Sequence, residues 1–155
     1  MRNLPFQSNL WTLRANAGEI MERLTIVLPE KFNFTTEFPV LINDVNSGHH
    51  VGNDAFVRYI NEAFWRFSDA FDIRKKIIMA NLAIIFRSEA FYGDVLKCDA
   101  AVSIHTKHSC HFYCRMSNGK TGKEIIRARA LVTFFDYTQK KPLEVPEQIR
   151  SLAKA

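Results

Sequence analysis

A polar stretch in the first half of the chain concentrates side chains that can hold or move protons. Nine of the eleven positions in residues 43–53 carry carboxylate, amide, imidazole or turn-forming residues, namely Asn43, Asp44, Asn46, Ser47, Gly48, His49, His50, Gly52 and Asn53. The interior of a regular strand or helix does not tolerate this density of turn formers. Imidazoles and carboxylates are common general acids and bases. The stretch is therefore predicted to be a functional loop.

The residues that follow have the period of an amphipathic helix. Apolar side chains fall on one side of a 3.6-residue wheel, namely Phe56, Val57, Ile60, Ala63, Phe64, Phe67 and Phe71. We expect Asn53 or Asp54 to cap this helix. Because the first N–H groups of a helix lack intrahelical partners and attract negative charge, the junction between loop and helix predicts an oxyanion site.

The other segments that must position this loop have the patterns of strands. A strand over residues 32–42 leads into the loop, and Pro39 favours an edge position or a bend for it. A long apolar run over residues 77–87 predicts a buried strand. Further strands are predicted over 94–107, 109–116 and 124–137, with a hairpin turn at Asn118 and Gly119. A loop over 140–146 and a short C-terminal helix complete the chain. Antiparallel strands bury a one-sided helix by wrapping around it, which predicts an α+β fold with a single sheet.

Residues 1–31 form a separate N-terminal extension before the domain of residues 32–155. A short amphipathic helix is expected in the extension from apolar residues spaced by three and four, namely Leu10, Leu13, Ala17, Ile20, Met21 and Leu24. Trp65 is the one large apolar group on the polar side of the central helix. We expect the extension or a neighbouring protomer to cover it.

Composition and charge exclude several classes of protein. The 155 residues suffice for one domain with a core of its own. The net charge of +5 arises in residues 96–155, which carry 11 Lys and Arg against 5 Asp and Glu. This excess suits a phosphate-bearing partner, although a solvated basic face is the alternative. Without a compact array of basic and aromatic residues, nucleic acid is not expected as a partner.

The cysteines and the hydropathy indicate where the protein works. Cys98, Cys110 and Cys114 contain no C-x-x-C pair and are interpreted as buried thiols in a reducing compartment. No window approaches the ~20 apolar residues that span a bilayer, so we expect no membrane span and a cytoplasmic location. His49 and His50 lack further ligands at suitable spacing, and no metal or other cofactor is expected.

The run D-V-N-S-G-H-H-V-G-N-D-A-F-V-R-Y-I-N-E-A resembles a known signature. It is similar to D-x-D-x-x-G-H-V-x-N-x-x-Y-x-x-Y-x-E-A-R of the 4-hydroxybenzoyl-CoA thioesterase-like branch of the hotdog-fold superfamily. Positions at or close to the marked ones are Asp44, His50, Val51, Asn53, Phe56, Tyr59, Glu62 and Ala63. A second match to the family is G-D-x-L at Gly93, Asp94 and Leu96.

The resemblance implies a fold and an activity. The fold would be a hotdog, with a five- to six-stranded antiparallel sheet wrapped around one long helix over roughly residues 32–146. The activity would be hydrolysis of an acyl thioester, usually acyl-CoA, by a homodimer or a dimer of dimers with active sites at the protomer interface. The backbone amide of Asn53, helped by that of Gly52, would hold the thioester carbonyl.

The resemblance leaves the identity of the proton acceptor open. Asn46 stands where the branch has its catalytic Asp, and an amide cannot accept a proton. Plant acyl-ACP thioesterases resemble the stretch through D-x-N-x-H-V-N-N, which suggests a hypothesis. Asn46 would orient water or substrate, His49 or His50 would be the general base, and Asp44 would orient the histidine. Glu62 is another candidate acid, and its alternative is an i,i+4 ion pair with a helix arginine.

Carrier binding and the rival functions complete the expectations. Basic residues of the C-terminal half form a pool from which CoA phosphates would be bound, namely Lys107, Lys120, Lys123, Arg127 and Arg129. A non-catalytic acyl-CoA-binding module is the first alternative, which Asn46 favours. A hotdog dehydratase, which would retain the thioester, is the second.

Overall fold

A computed structural model describes residues 24–154. Within this range a long helix, α1 (Asn53–Ala70), packs against an antiparallel sheet, and a short helix, α2 (Glu147–Leu152), follows the last strand. The strands are β1 (Phe34–Pro39), β2 (Ile77–Phe86), β3 (Val95–Thr106), β4 (Ser109–Asn118), β5 (Glu124–Asp136) and β6 (Lys141–Pro142). Single 3-10 turns occur at Ile42–Asp44 and Arg74–Lys76. The predicted α+β architecture is confirmed.

The sheet has the strand order β1-β3-β4-β5-β2, and β6 pairs with β5 outside this path. Along β5 every second residue faces α1 and is buried, namely Ile126, Ala128, Ala130, Val132 and Phe134. Phe67 of α1 meets Phe112 of β4 edge to face, with ring centroids 5.3 Å apart. Burial of one such side chain contributes roughly 1.5–3 kcal/mol to stability. The sheet thus forms its core by wrapping around α1.

The prediction that the apolar run over residues 77–87 is a buried strand is wrong. In the described protomer β2 pairs only with β5, so one of its edges lacks a partner strand. Ile78 is 38% exposed and Phe86 is 47% exposed. An apolar sequence therefore lies at an open edge of the sheet. At the opposite edge lies β1, as Pro39 predicted.

Helix α1 begins and turns slightly differently from the prediction. Its N-cap is Gly52, without a side-chain capping bond, so neither Asn53 nor Asp54 is the cap residue. The apolar face is also rotated, because Tyr59 is buried whereas Val57 is 37% exposed. The rotation of the apolar face follows from the sheet, since Phe38 of β1 packs against Tyr59 with ring centroids 5.3 Å apart.

Two connections differ in detail from their patterns. The hairpin after β4 is longer than a two-residue turn, since the amide of Asn118 donates to the carbonyl of Lys123. Gly122, with a φ of 71°, supplies the left-handed residue that this longer turn needs. The predicted loop over residues 140–146 contains the short strand β6.

The expectations for the extension and the cysteines have different outcomes. Most of the predicted N-terminal helix lies outside the described residues, so its contact with Trp65 stays a prediction. Trp65 is 41% exposed, and the guanidinium carbon of Arg74 lies 4.7 Å from its ring centroid. The three cysteines, Cys98, Cys110 and Cys114, are free and buried as predicted.

Candidate functional site

Backbone hydrogen bonds fix the conformation of the polar loop. The amide of Asn46 donates to the carbonyl of His50 over 2.9 Å, and that of His49 donates to Asn46 over 3.0 Å. His49 adopts a φ of 63°, a left-handed conformation that closes the turn. The amide of Val51 donates over 2.8 Å to the carbonyl of Ala90. The loop is therefore attached to the segment that follows β2.

Asp44 anchors the loop to α1. Its carboxylate accepts hydrogen bonds from the Tyr59 hydroxyl, the Leu41 amide and the Arg58 guanidinium. Burial opposes ionisation of Asp44, but these three donors outweigh it and hold its pKa below the ordinary value. Burial and the bond to Asp44 raise the pKa of Tyr59, so this phenol stays a donor. The contacts of Asp44 include neither His49 nor His50, so its hypothesised role in orienting a histidine has no support in the geometry.

Asn46 and His50 meet around Gly48. The Asn46 side-chain oxygen accepts the Gly48 amide over 2.8 Å. A Cβ atom on Gly48 would lie 3.0 Å from Nε2 of His50 and 3.1 Å from Oδ1 of Asn46. A side chain at this position would therefore displace the His50 ring or the Asn46 amide by a few tenths of an ångström. The structure thus brings together two of the three residues of the hypothesised set.

The His50 ring has a defined hydrogen-bond role. Its Nδ1 atom lies 3.2 Å from the carbonyl oxygen of Val51. A carbonyl can only accept, so this bond requires the proton on Nδ1. In the neutral ring Nε2 then keeps its lone pair. His50 can therefore accept a proton from water at Nε2.

One amide at the start of α1 has no acceptor in the described chain. The Gly52 amide donates to the Asp44 carbonyl over 2.8 Å and is occupied. The Asp54 carboxylate is bound by Arg58, which lowers its pKa, and also accepts its own amide and that of Ala55. The amide of Asn53 remains, at the positive end of the helix. Of the two predicted oxyanion donors, Asn53 is the available one.

Asn53 and His50 line the same cavity, which has a volume of about 260 Å³. The end of β2 and the segment after it form the opposite wall. The lining residues are His50, Val51, Asn53, Phe56, Phe86, Arg87, Ser88 and Glu89. His50, Asn53 and two phenylalanine side chains therefore surround one space.

Glu89 is a carboxylate of this cavity that sequence reasoning missed. The two residues before Glu89 are bound to Glu124. Arg87 forms an ion pair with the Glu124 carboxylate at 3.4 Å, and the Ser88 hydroxyl donates to the Glu124 backbone carbonyl over 2.6 Å. Glu89 itself is exposed and makes no ion pair in the described chain. In the sequence, the only indication of a role for Glu89 was its position directly before the A-F-Y-G-D segment. The hydrogen bond from Val51 to Ala90 shows that this segment lies against the polar loop.

The other predicted acid lies outside the cavity. Glu62 pairs with Arg66, with Oε1 2.9 Å from Nε, as the ion-pair alternative predicted. It lies nine residues after Asn53, about 13 Å along the helix axis. His49 is exposed and is not a lining residue.

The predicted CoA-binding pool does not line the cavity either. Its members occupy the turn after β4, the sheet and the opposite end of the fold, namely Lys107, Lys120, Lys123, Arg127 and Arg129. Arg127 is paired with Glu124 at 2.7 Å, and Lys107 with Glu144 at 2.8 Å. Carboxylate partners therefore neutralise two of these five cations.

Metal-binding clusters and helices that could span a membrane are both absent from the described residues. In residues 24–154 no three His, Cys, Asp or Glu side chains are grouped so as to hold a metal ion. Over the same range no helix is long and apolar enough to cross a bilayer.

A sheet wrapped around one helix, with a cavity at the helix start, defines the class of hotdog-fold proteins. The fold matches the PA2801 protein from Pseudomonas aeruginosa with a TM-score of 0.73 at 15% identity, over 81% of this chain and 100% of that one. It matches the 1,4-dihydroxy-2-naphthoyl-CoA thioesterase from Synechocystis with a TM-score of 0.67 at 17% identity, over 78% and 95% of the chains. A thioesterase from Thermus thermophilus, complexed with coenzyme A and Zn, matches with a TM-score of 0.69 at 16% identity, over 81% and 100%.

The family is identified from the sequence itself. A family model described as the thioesterase-like superfamily matches residues 40–152, and the chain belongs to this superfamily. No curated protein matches the chain. At the identities above, the solved structures establish the hotdog fold, which confirms the expectation from the loop and helix signature.

Proposed function

We propose that the protein hydrolyses an acyl thioester, with acyl-CoA as the substrate class, to a carboxylic acid and a free thiol. One observation carries the proposal. His50 and Asn53 line the same cavity at the start of α1, and the Asn53 amide has no acceptor in the described chain. Thioester hydrolysis needs a donor for the carbonyl oxygen and an acceptor for the proton of water.

The reaction assigned to these groups is a direct attack by water. A water molecule gives a proton to Nε2 of His50, and its oxygen forms a bond to the thioester carbon. The negative charge moves to the carbonyl oxygen, where the Asn53 amide stabilises it. The carbon–sulfur bond then breaks, and the proton held by His50 goes to the leaving thiolate. No cofactor is needed for this balance.

Glu89 adds a carboxylate to the same cavity. Since Asp44 is engaged by three donors and Glu62 by Arg66, Glu89 is the acid at the site without an ion-pair partner in the described chain. We assign it the role of accepting a proton from water or stabilising protonated His50. In either role its negative charge is needed for turnover.

We also propose that the protein works as a homodimer paired through β2. An open edge strand presents unpaired backbone groups and usually needs cover. In β2 this edge is apolar and partly exposed, and its last residue, Phe86, lines the cavity. A second copy of β2, antiparallel to the first, would satisfy the edge and complete the cavity wall. Native mass spectrometry is expected to show a dimer or a dimer of dimers.

Thiol release from short-chain, long-chain and aromatic acyl-CoAs tests the proposed activity. We expect turnover of at least one class of substrate. If none releases thiol while CoA still raises the melting temperature, the protein is an acyl-CoA-binding module instead. If the thioester is retained and the acyl double bonds change, it is a dehydratase.

A further inference from the structure

A second cavity, with a volume of about 620 Å³, opens at the other end of β2. Its walls contain three aromatic or indole rings and three consecutive cations, namely Trp65, Phe135, Tyr137, Arg74, Lys75 and Lys76. Its volume is more than twice that of the cavity at His50. The proposed hydrolysis assigns no role to these residues.

The positive charge in this cavity is only partly neutralised. Arg74 pairs with Asp69 at 3.0 Å. Lys75 and Lys76 are exposed and form no ion pair in the described part of the chain. Asp136 is the only carboxylate among the lining residues, and the amides of Thr138 and Gln139 bind it over 2.8 Å each. The lining residues therefore carry three positive charges against one negative charge.

The rings and the cations are arranged for a ligand that is both flat and anionic. The Arg74 guanidinium stacks on Trp65, with its carbon 4.7 Å from the ring centroid. Indole and guanidinium faces are surfaces on which nucleobases stack. Lys75 and Lys76 at the rim suit phosphate groups. A simple acyl chain has one carboxylate at most and would leave most of this charge unused.

We propose that this cavity binds the adenine nucleotide end of a CoA thioester. The inference names the substrate carrier of the proposed function and rests on it only where turnover is concerned. Nucleotide binding itself requires no hydrolysis, so the two proposals can fail separately.

The position of the cavity explains how it would serve the reaction. Ile77, at the start of β2, lines it, whereas Phe86, at the end of β2, lines the cavity of His50. Ile77 and Phe86 are the two ends of a strand of 10 residues and lie roughly 30 Å apart at about 3.3 Å per residue. In an antiparallel β2 pair whose two-fold axis passes through the middle of the strand, Ile77 of one subunit would lie opposite Phe86 of the other. The nucleotide bound by one subunit would then belong to the thioester cleaved in its partner.

Fluorescence titration of the full chain with adenosine 3′,5′-bisphosphate tests the binding. The background is Trp11→Phe, which leaves Trp65 as the only tryptophan. We expect saturable quenching, weakened at least tenfold in Lys75→Gln/Lys76→Gln. The charge-matched pair Lys120→Gln/Lys123→Gln, in the turn after β4, should bind as the parent does. No change in Trp65 emission, or loss of binding only in the Lys120/Lys123 pair, would overturn the proposal. Melting curves check that each variant is folded.

Kinetics test the link to turnover. With acyl-CoA, Lys75→Gln/Lys76→Gln should raise KM about tenfold and leave kcat unchanged. With the matching acyl-pantetheine, which lacks the nucleotide, KM should not change. An equal rise in KM for both substrates would overturn the assignment. If no thioester is hydrolysed but the nucleotide still quenches Trp65, the proposed activity fails and the binding site stands.

Discussion

The two ends of β2 differ in the kind of group that defines them. At the end near His50 the cavity is about 260 Å³ and depends on the backbone, through the Asn53 amide and the conformation of the loop. At the end near Trp65 it is about 620 Å³ and depends on side-chain rings and cations. The first has donors and acceptors suited to a reaction, whereas the second has surface and charge suited to recognition. Substitutions at the first should therefore lower kcat, and those at the second should raise KM.

The largest effect is expected from a pair of matched carboxylates. Glu89→Gln removes the negative charge from the His50 cavity and should lower kcat about a hundredfold or more, since a positioned acid or base contributes 10²–10⁴-fold. Glu62→Gln, on the opposite side of α1, should change kcat less than twofold. Steady-state thiol release measures both. A larger fall in kcat for Glu62→Gln than for Glu89→Gln would show that the reaction does not take place at the His50 cavity.

A smaller effect is expected at Gly48. In Gly48→Ala the new Cβ would lie 3.0 Å from Nε2 of His50, so the ring must shift. A displaced base loses alignment with water, and we expect kcat to fall about tenfold while CoA binding is kept. Gly119→Ala, in the distant turn after β4, serves as a glycine control. Unchanged kcat in Gly48→Ala would show that the ring position at His50 does not matter.

Substitutions at Asn46 distinguish a role in holding the loop from a direct role in the reaction. Its Oδ1 accepts the Gly48 amide, and an aspartate can accept the same bond. Asn46→Asp should therefore keep most of the activity, whereas Asn46→Ala should lose roughly severalfold through a looser loop. Full activity in Asn46→Ala would show that Asn46 has no role in turnover. Loss in both variants would instead assign the Asn46 N–H₂ group to the substrate.

The smallest effect on turnover, and the clearest on stability, is expected from Asp44→Asn. The variant should lose about 2 kcal/mol at pH 7, because charged hydrogen bonds contribute roughly 1.5–3 kcal/mol. The pKa of Asp44 is lowered by folding, so its contribution is present above the unfolded pKa of about 3.9 and is lost as the pH falls through the folded value. Urea unfolding at pH 7 and pH 3 should show the difference shrinking at pH 3. The exposed control Glu30→Gln should show little difference at either pH.

Local patterns predicted the fold well because each pattern matches one physical constraint. The strand predicted over residues 124–137 corresponds to β5, and the apolar stripe after the polar loop corresponds to the buried side of α1. The same logic failed for β2, because an apolar run does not reveal whether its partner lies in the same chain. The overall charge excess predicted phosphate binding by residues 96–155, whereas the proposed nucleotide site uses Arg74, Lys75 and Lys76 of the nearly neutral first 95 residues.

The sequence identified only some of the residues that line the candidate cavity, because contacts between distant segments decide which side chains meet there. The loop itself identified His50 and Asn53, which line the cavity together. The spacing of residues in the sequence did not reveal that the Asp44 carboxylate accepts hydrogen bonds from Tyr59 and Arg58. It also did not reveal that Glu89 lines the same cavity as the loop. Both outcomes depend on residues fourteen or more positions away.

The most direct test compares the wild type with His50→Ala in thiol release from the best acyl-CoA substrate. CoA affinity and melting temperature are measured in parallel. The predicted result is a fall in kcat of about a hundredfold or more with CoA binding and folding preserved, as expected on losing a general base. Equal kcat values for a folded His50→Ala variant, or a wild type that releases no thiol from any acyl-CoA, would contradict hydrolysis at this cavity.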